Sequence, residues 1–135
     1  MNMSRYLIAV VVSFVVMGVV AFGGMTLGAN QMSSLMVIAR GPEDLAAMTG
    51  WGMVGYLIIT TIFTYIYIKG REAGDAIEGA KFGVMFGALM SGAGMVSYSM
   101  LPYEMAVLVA DTFINLIVYT VGGITIALIY KPAAE

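Results

Sequence analysis

Asp111, Asn115 and Tyr119 follow one another at intervals of four, the spacing that stacks side chains on a single helix face. All three lie in an apolar run over 105–130, and Asp111 is the one acid well inside such a run. A carboxyl group at that depth is costly in hydrocarbon and is a functional candidate by default. Its chemistry would be the binding of a proton or a cation, with the amide and the phenol as polar neighbours. The competing reading is structural: a single polar residue bonded to Ser91, Ser97 or a Thr of the second span, locking a bundle. No basic residue sits inside an apolar run to pair with it, which favours the structural reading. A second stripe, Tyr56, Thr60 and Thr64, has the same spacing in the run 50–68, with Thr61 beside it. Thr hydroxyls in apolar helices usually bond back to their own carbonyls. If its helix turns that face toward Asp111, this stripe would complete a polar seam.

Other chemistry is excluded by what the chain lacks. It contains no Cys and no His, which removes disulfides, thiol catalysis, thiolate metal sites and imidazole-ligated haem or chlorophyll. No nucleophile–base pair or metal-ligand set can be assembled from the remaining residues. No catalytic residue and no metal ligand is therefore assigned, and the chain is expected not to be an enzyme. No cofactor is expected on its own side chains, although a bound lipid or pigment is compatible with the composition. The 13 Met residues read as adaptable packing. A net charge of −2 without any basic run gives no footprint for nucleic acid.

The elements that must position these residues follow from hydropathy. Of 135 residues, 61% are hydrophobic and only 10% charged, with a mean hydropathy of +0.95. Soluble domains carry about 25% charged residues, so lipid is the expected solvent. Four apolar runs stand out, at about 6–27, 50–68, 82–100 and 105–130. Each approaches the roughly 20 residues that cross a bilayer as a helix, and none shows the short alternating pattern of a membrane barrel strand. The first run is too long for a typical signal-peptide core and is expected to be retained. The fold class is all-α: a polytopic bundle of four transmembrane helices forming one domain over 1–135.

Arg5, Lys69, Arg71, Lys81 and Lys131 fall on one side of this arrangement and only Arg40 on the other. The positive-inside rule then puts both termini and the 69–81 loop in the cytoplasm. Tyr6, Tyr65, Tyr67 and Tyr130 would anchor that interface, with Trp51, Tyr98 and Tyr103 at the opposite one. The outer loop, 28–49, contains Pro42 followed by Glu43 and Asp44, a helix-start signal. A short helix is expected near 42–49, running into or angled onto span two. The apolar stretch 32–38 before it is expected to touch the membrane or another subunit, or else to extend the first helix. In the inner loop, Asp75 and Glu78 have the spacing of a capping box for span three. Leu101-Pro102-Tyr103-Glu104 is a tight turn, so spans three and four form an antiparallel hairpin.

Gly79, Gly83, Gly87 and Ser91 repeat every four residues in this hairpin, a glycine-zipper pattern that leaves one helix face almost bare. Backbones can approach closely there. Its partner is another helix of the chain, a second copy or a different protein, and Gly122 and Gly123 offer a complementary surface.

The carboxyl-terminal half resembles small bacterial four-span inner-membrane proteins of uncharacterised role. The likeness runs from Lys69-Gly-Arg-Glu through Glu78-Gly-Ala-Lys-Phe-Gly to Gly122-Gly123-Ile and Ile129-Tyr130-Lys131-Pro132. It implies a multi-pass protein of the bacterial inner (cytoplasmic) membrane and brings no activity with it. The expected function is that of a non-catalytic accessory subunit in a larger membrane complex, one concerned with electron transfer or light harvesting. The alternative is a small oligomeric transporter or channel using Asp111. Expected partners are membrane lipids and other integral membrane subunits, or further copies of the chain.

Overall fold

The structure, a computed structural model, describes residues 2–130; Lys131, which contributed to the orientation argument, lies outside the described residues. Five helices follow in order: α1 (Met3–Leu27), α2 (Ser33–Ile38), α3 (Pro42–Gly70), α4 (Ala76–Met100) and α5 (Met105–Ile129). No strand occurs among the described residues. All but α2 are long and apolar enough to cross a membrane; at 1.5 Å per residue a 25-residue helix extends about 37 Å.

The helix ends follow local chemistry. Asn2 caps α1, its side chain accepting from the Arg5 amide at 3.1 Å. Pro42 opens α3 with Glu43 and Asp44 in the first turn, where acids oppose the positive end of the helix dipole. The segment 42–49 is continuous with span two, giving one helix of 29 residues. No proline follows Pro42 until Pro102, and Thr49 Oγ1 donates to Leu45 O at 3.0 Å inside the unbroken ladder. At the start of α4, Asp75 accepts from the Glu78 amide at 2.7 Å. The reciprocal half of the capping box is redirected: the Glu78 carboxylate accepts from the amides of Glu72, at 2.6 Å, and Gly74. Gly74 has φ 68°, a conformation glycine adopts without Cβ strain, and this turns its N–H toward Glu78.

The stretch 32–38 neither extends α1 nor stands away from the bundle. The chain turns at Gly28, forms α2 and folds back toward the start of α5, where Glu104 N donates to Ser34 Oγ at 3.1 Å. Met32 is buried; Val37, at 84% exposure, is not.

Packing is uneven. The α4–α5 hairpin is the most extensive interface, α1 packs next on α5, and α3 meets the others mainly near its carboxyl end. There Phe63 and Tyr67 enter a core with Met17, Val118, Tyr119, Ile126 and Ala127. The Phe63 ring lies 4.8 Å from that of Phe86, 5.0 Å from Phe82 and 5.4 Å from Tyr119, distances at which tilted aromatic pairs add to area burial. The first half of α3 leaves this core, and every residue from Pro42 to Val54 is exposed. Arg5, Lys69, Arg71 and Lys81 gather at the end of the molecule where Asn2 N donates to the Tyr130 hydroxyl at 2.8 Å. Arg40 lies at the other end.

Candidate functional site

Gly79, Gly83, Gly87 and Ser91 are all buried, and the helix facing them is α5. A Cβ on Gly79 would stand 2.9 Å from Ala127 Cβ, and one on Gly83 would stand 2.6 Å from the Thr120 Cα. At Gly87 the obstacles are Asn115 O and Leu116 Cα, both at 2.9 Å. These are backbone and Cβ atoms, which no rotamer change can move. Ser91 closes the row by donating to its own Gly87 carbonyl at 2.8 Å.

Gly122 and Gly123 serve different neighbours, because consecutive helical residues point about 100° apart. Gly123 meets the backbone of Gly79, whereas a Cβ on Gly122 would fall 2.8 Å from Met17 Cγ and 3.2 Å from the Phe63 ring. One glycine seats α4 and the other lets α1 and α3 close on α5.

The Asp111 stripe divides in the same way. Asn115 Nδ2 donates to Asp111 Oδ2 at 2.9 Å within the helix. That oxygen lies over Gly94 of α4, 2.9 Å from where a Cβ would be. Ser91 and Ser97, the partners expected for a structural carboxyl, donate instead to the carbonyls of Gly87 and Ala93. Tyr119, two turns further, is buried among Phe63 and Phe86. The stripe therefore contains a polar clamp on α4 and, separately, an aromatic core residue. Gly94 carries no periodic signal in the sequence. It is nonetheless a junction here, since Tyr103 also donates to its carbonyl at 3.2 Å.

Tyr56, Thr60 and Thr64 do not join Asp111. Thr60 donates to Tyr56 O at 2.9 Å and Thr61 to Leu57 O at 2.7 Å. Asp111 is turned toward α4, at a level where α3 has already left the bundle. Among the described residues, three hydroxyls remain buried without a hydrogen-bond partner: Ser13 Oγ, Tyr56 OH and Thr64 Oγ1. Ser13 and Thr64 are fully buried and forgo the bond to their own helix that Thr60, Thr61, Ser91, Thr120 and Thr125 all make. Ser13 was readable only as a lone hydroxyl in a Val-rich run.

Above Tyr56, α1 and α3 diverge and leave an apolar cleft of about 330 Å³ between Phe14, Gly18, Phe22 and Met53. The Phe14 and Tyr56 rings floor it at 5.2 Å. No group of three or more acidic side chains converges as a metal site among the described residues.

No family model, curated protein or solved structure matches the chain. The site is therefore defined by its own geometry: a close-packed hairpin, a polar clamp near its 101–104 turn, and an α3 whose first half is exposed among the described residues.

Proposed function

We propose that the protein is a non-catalytic accessory subunit of a larger membrane complex, and that the exposed half of α3 is where a neighbouring subunit packs. The observation that carries this reading is a contrast between glycines. Gly79, Gly83 and Gly87 of α4 press on the backbone of α5, whereas a Cβ on Gly50, Gly52 or Gly55 of α3 would meet nothing within 4 Å. Glycine lowers helix propensity, and small residues in general bury little apolar surface. Their use in an apolar helix is the close approach of another helix. Gly52 and Gly55 share one side of α3, Ala46, Ala47 and Gly50 lie on the opposite side, and Trp51, 75% exposed, stands between them as an aromatic anchor.

The distribution of Arg and Lys supports a cytoplasmic basic end, with both termini on that side, and the resemblance of the carboxyl-terminal half favours a bacterial inner membrane. A complex for electron transfer or light harvesting suits a chain with so little outside the apolar helices; a lipid or pigment tail would fit the α1–α3 cleft. A transport role for Asp111 has less behind it, because the carboxyl is engaged by Asn115 and seated on Gly94.

The test is purification of the full chain in mild detergent beside a Gly52→Leu variant. Stoichiometric recovery of larger membrane subunits with the wild type, lost in the variant while the isolated chain stays folded, is the expected result. A wild-type chain that runs alone, or only with copies of itself, would overturn the reading.

A further inference from the structure

We propose that the cavity between α3 and α4 at the basic end is a headgroup site for a phospholipid carrying a primary amine, of the phosphatidylethanolamine class. The proposal is independent of any partner subunit and needs only that the four long helices lie in a membrane. The cavity holds about 270 Å³, and its wall changes character along its length. Ile66, Phe82 and Met85 make an apolar channel along the helices. Arg71 and Glu78 stand at the mouth, where α3 ends and α4 begins. Gly70 leaves the space next to Arg71 open, with nothing within 4 Å of where its Cβ would be.

Both charges are fixed by neutral groups. The Arg71 guanidinium lies 4.7 Å over the Tyr130 ring and donates through Nη1 to the Tyr130 carbonyl. A guanidinium has five N–H donors, so this one bond leaves others for an acceptor entering the cavity. The Glu78 carboxylate accepts one backbone amide on each oxygen, from Glu72 and Gly74. Each oxygen keeps a further lone pair. Arg71 and Glu78 line the same cavity but form no ion pair with each other or with any other described residue. A rigid cation and a rigid anion, held apart at the mouth of an apolar channel, match a ligand with a phosphate, a nearby ammonium and a hydrocarbon tail. The phosphate would take the guanidinium N–H groups in a charge-assisted pairing. The ammonium would donate to Glu78, and one acyl chain would lie along Phe82 and Met85.

Two related headgroups fit less well. A choline group has no N–H to give Glu78, and a glycerol headgroup has no positive charge to meet it. The groove on the other side of α4, between Ala80, Val84 and Ile124, has Lys81 as its only charged lining residue. A purely anionic lipid would find its better match there.

The full chain in mild detergent is titrated with phospholipids of matched acyl chains, with bound lipid counted by native mass spectrometry. The series runs from phosphatidylethanolamine through its N-methyl and N,N-dimethyl forms to phosphatidylcholine, with phosphatidylglycerol alongside. Affinity should fall along the series, by about tenfold from first to last, the effect of roughly one hydrogen bond to a charged group. Glu78→Gln should flatten the series while leaving the choline lipid's binding unchanged. Met85→Trp, at a position 70% exposed and hence tolerant of folding, should fill the channel and weaken every member. Equal affinity along the wild-type series would overturn the proposal. So would strongest binding of phosphatidylglycerol, or a Met85→Trp protein that binds as the wild type does.

Discussion

Asp111 rests on the bare backbone of Gly94, its Oδ2 2.9 Å from the point a β-carbon on that glycine would occupy. The carboxyl group is thus packed as well as hydrogen-bonded. One side is taken by the Asn115 amide and the other by α4, whose Gly94 carbonyl in turn accepts from Tyr103. The only acid well inside an apolar run therefore helps to fix the third of the hairpin nearest its 101–104 turn.

If that packing matters, Gly94 and Asp111 are energetically coupled. Gly94→Ala should destabilise the protein by about 1–2 kcal/mol, the usual range for an inserted carbon in a filled site. In an Asp111→Ala background the same change should cost little, giving a coupling of about 1 kcal/mol in a double-mutant cycle. Reversible unfolding in mixed detergent micelles measures this. Strict additivity would mean that the carboxyl moves aside freely and that its seat on Gly94 is incidental.

Glycines of the two helices should respond in opposite directions. Gly83→Ala places a methyl group 2.6 Å from the Thr120 Cα, so α4 and α5 must separate, at a cost of about 2–3 kcal/mol. Gly50→Ala meets open space and should gain roughly 0.5–1 kcal/mol from helix propensity alone. The same unfolding assay on the isolated chain reads both. Similar losses at the two positions would contradict the difference in packing described above.

The buried hydroxyls without partners give a third expectation. A polar group buried unpaired is a net loss, of about 1 kcal/mol or more, relative to an apolar group of the same shape. Thr64→Val and Ser13→Ala should therefore be neutral or stabilising by up to about 1 kcal/mol. Thr120→Val removes a hydroxyl already bonded to Leu116 O at 2.6 Å and should gain nothing. Clear destabilisation by Thr64→Val would reveal a water or ligand that uses the hydroxyl.

What could be read from the sequence is what depends on short stretches of chain. Four apolar helices were legible because hydropathy is a local property, and so was the cap at Asp75, whose partner is three residues away. The repeat of Gly79, Gly83 and Gly87 identified a bare face. It did not name the face opposite, because α5 answers with the Cα and carbonyl atoms of Tyr119, Thr120, Asn115 and Leu116, which leave no side-chain pattern. Asp111 was placed on a stripe with Asn115 and Tyr119, but spacing within one helix carries no information about its neighbours. The seam to Thr60 and Thr64 fails for that reason: α3 diverges before it reaches the level of Asp111. The sequence left open whether the helix near 42–49 runs into span two or is angled onto it; the ladder continues through Gly50 and Gly52, so it runs in.

The basic end offers a last expectation, at Arg71 and Tyr130. Stacking of a guanidinium on an aromatic ring is worth about 0.5–2 kcal/mol, more as the ring is desolvated, as the buried Tyr130 is. A bond from a charged donor to a carbonyl adds about 1.5 kcal/mol. Because the acceptor is the carbonyl of the residue that ends α5, removing the side chain should loosen that last turn before it affects the hairpin as a whole. In Arg71→Met, amide exchange at residues 126–130 should accelerate by about tenfold, with little change at Leu108 or Thr112 near the other end. Arg71→Lys keeps the charge and loses the planar fork, so it should recover less than half of the protection. Exchange that rises evenly along α5, or not at all, would show that the Arg71–Tyr130 contact does not hold this end of the protein.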